Sequence, residues 1–301
     1  MEDGIYIPEL GKGSTVFHYT TALGMQGILS KEFWLTESRF LNDEKEFHVV
    51  LDVLRKVLWD ALDDWCDVTD FYDGICEEYG IINSNGIENK NVALSGLYVL
   101  SLSLEQDNLA LWTQTSDGHG YCLGFDLDTL LSNLCLKRFS SWHGKVIYDE
   151  TEQCEALRRT LDVDSGHKTV FDYYEGLASI PHLTDDQRRE LADYFAVVCS
   201  VYGMFFKHSS FRAESEYRIV VSAIHESKTK YVKNPDTVFF RIRDNAIIPY
   251  IKIAFKSLDC LNFVVIGPKN NNCLTLPGLG VFLRSLGVNP AVLQSSISLR
   301  Y

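Results

Sequence analysis

VFHYTTALGMQGILSKEFWLT, residues 16–36, is the stretch on which the fold turns. VFHYT at 16–20 is rich in β-branched and aromatic residues and predicts a strand. TALGMQGILSK then spaces Leu23, Ile28 and Leu29 as a helix does, and WLT at 34–36 returns to strand composition. A strand, a short helix and a second strand in one compact opening imply an α+β protein rather than a helical bundle or an all-β sandwich.

Downstream, residues 43–65 place Phe47, Val50, Leu51, Leu54, Leu58, Leu62 and Trp65 at three- and four-residue intervals, an amphipathic helix. The region 43–78 carries twelve acids and three bases, which fits a solvated helical face better than a cation-binding surface. INSNGIENKN at 82–91 predicts a surface loop. Strands follow at 97–103 and 121–126, separated by a helical turn near DNLALW and a turn at SDGHG. Residues 127–135, 150–162 and 184–205 predict helices. EYRIVVSA, KYVK, TVFFRIR, YIKIAF and LNFVVIG then predict strands, with a helix at 278–286 and an extended tail. The expectation is one α+β domain over 1–301, with a mixed, mostly antiparallel sheet. Residues 16–126 would form a strand and helix half, 127–206 a helical insertion, and 207–301 a strand-rich half.

The chain has 301 residues, 46% of them hydrophobic and 23% charged, an ordinary globular mixture. Its net charge is −13, which disfavours non-specific coating of nucleic acid. The charge is unevenly spread. Residues 1–200 hold 35 acids and 15 bases, whereas 201–301 hold 6 acids and 13 bases, so an anion site belongs in the C-terminal third. The opening MEDGIYIPELGKGS lacks the basic and apolar regions of a secretory signal, and no apolar run has the length of a membrane span. Eight cysteines occur without a CxxC pair, which predicts reduced, mostly buried thiols and a cytoplasmic protein.

Three polar islands lie beside strands and turns. His18-Tyr19-Thr20 ends the first strand; a histidine between aromatics is most often a satisfied rim residue, but there it can also meet a ligand hydroxyl. Arg39-Phe40-Leu41-Asn42-Asp43-Glu44-Lys45-Glu46 fits a helix cap, with Asn42 or Asp43 accepting from the first turn and Glu46 closing a capping box. Lys207 to Arg218, KHSSFRAESEYR, precedes the strand IVVSA. Strand alternation would put Glu214, Glu216 and Arg218 on one face, either as a surface pairing or as a constructed site. Phosphate loops of the Walker type, GxGxxG, HExxH, GxSxG and the zinc-deaminase signature are all missing.

In order, FHYTTALGMQGILSKEFWLTESRFLNDEKEF, LSLSLEQDNLALWTQTSDGHGYCLGFD, FKHSSFRAESEYRIVV, AIIPYIKIAF, FVVIGPKNNN and SSISLR resemble the blocks of the prokaryotic domain of unknown function 2971. The chain departs from that pattern at Glu44 and at Thr115-Ser116. A His on the first strand, then helix, strand and rim loop, with a Glu opening a later strand, is also similar to ADP-ribosyltransferases, in particular their DNA-modifying toxin branch.

That resemblance implies an ADP-ribosyltransferase-like fold with a helical insertion, NAD as substrate and a macromolecular acceptor, protein or nucleic acid. It also implies a role in toxicity or phage defence, with a cognate antitoxin or defence partner. His18 would hold an NAD ribose, with Thr20 beside it, and Tyr19 or Trp112 would wall the nicotinamide. Glu216 would be the catalytic carboxylate and Glu214 would orient the acceptor. Lys207, Arg212 or Arg218 would meet the pyrophosphate. The alternatives are a non-catalytic binding module, or a metal-dependent phosphodiesterase or nuclease using Asp43, Glu46, Glu214 and Glu216.

Overall fold

A computed structural model describes residues 5–41, 46–61, 96–161, 198–223, 238–243 and 245–298. The chain divides into two compact units. One comprises Glu9–Phe40, Gly96–Lys145 and Phe211–Tyr301; the other comprises Met1–Pro8, Leu41–Ser95 and Val146–Ser210.

The first unit is built on a ten-stranded sheet. Its strands are β1 (Thr15–Thr20), β2 (Glu32–Glu37), β3 (Leu97–Ser103), β4 (Tyr121–Asp126), β5 (Ser140–Lys145), β6 (Glu216–Ser222), β7 (Val238–Arg243), β8 (Ala246–Ala254), β9 (Leu261–Ile266) and β10 (Ala291–Gln294). They run in the order β10-β9-β4-β1-β3-β2-β8-β7, with β6 joined to β3 and β5. Every pairing is antiparallel except β10 with β9. A mixed α+β fold with a mostly antiparallel sheet is therefore what the chain adopts.

Helix α1 (Ala22–Leu29) follows β1 because Thr21 caps it, its hydroxyl accepting from the Gly24 N–H at 3.1 Å. Lys31 then takes a left-handed φ of 68° and turns the chain into β2. Helices α3 (Leu109–Ser116) and α4 (Leu127–Asn133) are capped by Asn108 and Asp126, and α6 (Thr275–Ser285) precedes β10. One sheet face carries the main core, where Val16, Leu100, Leu102, Leu123, Phe125, Tyr217 and Ile219 meet Met25, Ile28 and Leu29 of α1 and Leu279 and Leu283 of α6. The other face carries a smaller cluster of Phe17, Tyr19, Trp112, Cys122 and Val265. Gly124 in β4 lies so close to Phe17 that a β-carbon would stand 2.9 Å from its ring.

In the second unit α2 (Glu46–Ala61) and α5 (Glu150–Leu161) pack together, with an ion pair between Lys56 and Glu150. Residues 198–203 are helical, and the Tyr202 hydroxyl lies 2.8 Å from the Tyr6 carbonyl.

Several expectations change. The span 127–206 is not purely helical, since residues 140–145 form β5 as the far partner of β6. The tail is not merely extended: residues 291–294 pair with β9 as a parallel strand. The last helix starts at Thr275 rather than at 278. The loop at 82–91 and the strand KYVK lie outside the described residues, as do parts of the helices expected at 43–65 and 184–205.

Candidate functional site

The sheet forks at β3. Strand β6 pairs with all of Leu97–Ser103 along one edge, so β1 and β2 must share the other. β1 touches that edge at one pair, Phe17 with Ser103, and β2 at two pairs, Thr36 with Val99 and Glu37 with Tyr98. Between them the backbone of Leu100–Leu102 faces a gap where two strands diverge. A gap of this kind leaves a strand carbonyl without its ladder partner, and a side chain must serve it.

His18 does so. Its Nδ1 donates to the Ser101 carbonyl at 3.0 Å, and its ring meets Phe33 of β2 edge-on at 5.9 Å. A carbonyl accepts and never donates, so Nδ1 carries the proton and Nε2 presents a lone pair. Nε2 has no hydrogen-bond partner among the described residues. Burial pulls the His18 pKa below its ordinary 6.5 and the positive Arg241 adds to that, against the opposing Ser101 hydrogen bond. The imidazole is thus held neutral.

Glu216 opens β6 and is in register with Ser103, so His18 and Glu216 stand on the two strands that flank β3. Alternation separates their directions. Phe17, Ser103 and Glu216 are paired across the sheet and leave it on one face, while His18, one residue on, turns toward the other face and the fork. Glu216 is buried and accepts from Arg218 Nη2 at 2.8 Å, and Arg218 is itself fully buried.

Glu214 lies before the strand, so strand alternation does not put it with Glu216. Residues Ser209–Glu214 form a 3-10 turn, and Ser215 adopts a left-handed φ of 44°, so the strand begins only at Glu216. The Glu214 backbone carbonyl receives the Ser103 hydroxyl at 2.8 Å. Tyr19 and Trp112 come together, with ring centroids 4.8 Å apart and edge to face. Trp112 is 0% exposed and donates its Nε1–H to Asp107 at 2.7 Å. The Tyr19 hydroxyl donates to the Glu105 carbonyl and accepts from the Asn108 N–H, and burial raises its pKa. These rings form a wedge inside the unit, not an open aromatic wall. Thr20 is buried at the end of β1, paired with Tyr121.

Arg212 is exposed, and Lys207 lies buried in the other unit. Asn42 and Asp43 fall outside the described residues, and Glu46 is the first residue of α2. Among the described residues no three His, Cys, Asp or Glu side chains gather as metal ligands.

Sequence reasoning missed Ser101, Phe33, Thr36 and Arg241. Arg241 on β7 donates from Nη2 to the Thr36 hydroxyl at 2.7 Å, and its guanidinium carbon lies 5.9 Å from the Tyr250 ring centroid. The signal available was alternation in VFFRIR, which puts Phe239, Arg241 and Arg243 on one face.

The molecule is therefore defined, at the level of class, as a mixed α+β protein with a forked, mostly antiparallel sheet. Residues 111–219 match a family described as "Protein of unknown function (DUF2971)", and over that stretch the chain is similar to that family. The match takes in Trp112, Glu214, Glu216 and Arg218 and leaves out His18 and Arg241. No curated protein and no solved structure matches the chain. Among the described residues, no helix is long and apolar enough to cross a membrane.

Proposed function

We propose that the sheet-bearing unit binds NAD at the fork and transfers ADP-ribose to a macromolecular acceptor, in the manner of the ADP-ribosyltransferases that its layout resembles. The observation that carries this reading is the tautomer of His18: with Nδ1 spent on Ser101, Nε2 is an acceptor set to receive a ribose hydroxyl. The order of parts also supports it, since β1 is followed by α1, β2 and the rim turn Ser38–Phe40, and Glu216 opens β6.

In the reaction the bond from ribose C1′ to the nicotinamide nitrogen breaks, and neutral nicotinamide leaves with the electron pair. The acceptor bonds to C1′ and gives up its proton. Positive charge builds on the sugar in between, and a carboxylate near the 2′-hydroxyl lowers that barrier. Glu216 is the carboxylate that the resemblance gives this role; it leaves the sheet on the face opposite His18, and Arg218 pairs with it.

The test is nicotinamide release from NAD with cell lysate as acceptor. The wild-type chain should release it and Glu216→Gln should not, while its melting temperature shows that it remains folded. Glutamine keeps an oxygen for Arg218. Glu216→Ala leaves a buried charge and should cost about 3–5 kcal/mol of stability.

A second reading, a binding module without turnover, is favoured by the seal of Glu216 against Arg218 and by the fully buried Trp112. It predicts NAD binding with no nicotinamide release.

A further inference from the structure

A guanidinium keeps its charge at any ordinary pH, so withdrawing one from water is costly unless an anion or a full set of acceptors receives it. Arg241, half-buried, meets that demand only in part. Its Nε is sealed from solvent and has no hydrogen-bond partner. Its ion-pair partner is missing too: among the described residues no carboxylate pairs with it, and its one side-chain hydrogen bond goes to the neutral Thr36 hydroxyl. The neighbouring charge acting on it is that of Arg243, of the same sign.

The side chain also has a direction. Arg241 starts on β7, passes the Tyr250 ring of β8 and ends at Thr36 of β2, the strand that forms one arm of the fork. Its positive charge is felt by His18 on the other arm. Thr36 accepts from Arg241, which leaves its own O–H free to donate. Strand β1 thus offers a neutral acceptor at His18, and β2 with β7 offers two kinds of donor, one of them cationic, at Thr36 and Arg241. A sugar hydroxyl suits the first and phosphate oxygens suit the second.

We propose that Arg241 is the pyrophosphate anchor of this site, its guanidinium donating to phosphate oxygens of a dinucleotide whose ribose hydroxyl is received by Nε2 of His18. This rests on the reading of the fork as an NAD site. It reassigns the role expected of Lys207, Arg212 or Arg218: Arg212 is exposed, Lys207 belongs to the other unit, and Arg218, paired with Ser101 across the β3 edge, gives its guanidinium to Glu216.

The experiment is calorimetric titration of the full chain with NAD and, separately, with inorganic pyrophosphate. It uses wild type, Arg241→Gln, Arg241→Lys, His18→Ala and, as a control for lost charge, Arg284→Gln at an exposed position of α6. Arg241→Gln should weaken both ligands tenfold or more. Arg241→Lys should recover part of the loss, and Arg284→Gln should change neither by more than twofold. His18→Ala should weaken NAD but leave pyrophosphate unchanged.

Arg241→Gln that binds NAD as tightly as wild type overturns the anchor and leaves the NAD reading standing. Pyrophosphate binding that depends on Arg241, without any NAD binding, retains the anion site and removes the NAD reading. Binding of neither ligand by wild type removes both. Arg241→Met guards against a purely structural role: an anchor kept for a ligand predicts an unchanged or higher melting temperature without ligand, and a large drop contradicts it.

Discussion

A histidine on an alternating strand ordinarily points into the core or into water. His18 stands where the sheet divides, and its proton is spent on a backbone carbonyl that the divergence of β1 and β2 leaves over. Its depressed pKa has two consequences with the same sign. Unfolded, the imidazole takes a proton near pH 6.5; folded, it resists until lower pH, so the unfolded chain gains protons first and stability falls as pH drops below about 6.5. In the site, protonation turns Nε2 from acceptor to donor and sets a second positive charge near Arg241. NAD affinity should therefore hold level from about pH 8 to about 6.5 and fall below that. Titrations across this range check the point. His18→Ala should lose the acid limb, and a wild-type midpoint at or above 6.5 contradicts the account.

At the scale of elements, legibility followed hydrophobic contrast. The opening strand, helix and strand, and the strands at 97–103 and 121–126, were plain because β-branched and aromatic runs alternate with helical spacing. Strand β5, SSWHGK, was not, because an edge strand half open to water needs no apolar face. Strand β10, AVLQ, was hidden by its length of four residues. Glu214 was expected on the strand because nothing in Ser215 announces a left-handed φ, yet Glu214 ends a 3-10 turn and the strand begins only after Ser215.

Of the proposed site, His18 and Glu216 were singled out in the sequence through the resemblance of their order to a known layout. Arg241 was not, because its hydrogen bond to Thr36 joins a strand late in the chain to one near its start, across β8. Asn108 shows how the elements behind the site are tied together. Its side-chain oxygen caps α3 and its amide donates to the Ala213 carbonyl at 2.6 Å, before β6. Asn108→Ala should cost about 1–2 kcal/mol in denaturant unfolding. A loss within about 0.3 kcal/mol of zero contradicts this role.

For the whole molecule, the net charge of −13 disfavours non-specific coating of nucleic acid, yet in the basic C-terminal third the sheet-bearing unit contains a cation that no carboxylate pairs with among the described residues. Long-range charge and local chemistry answer different questions, since exposed charges are screened over about 8 Å at physiological salt while a half-buried guanidinium acts at contact. The family match, which covers residues 111–219, adds a description without an activity. The claim on which the rest depends is that the fork is a dinucleotide site. Calorimetric titration of the intact wild-type chain with NAD, beside His18→Ala, tests it most directly. The account predicts saturable one-to-one binding by wild type and a loss of at least tenfold in the variant, with both proteins melting alike. No binding by wild type, or equal binding by the two, contradicts it.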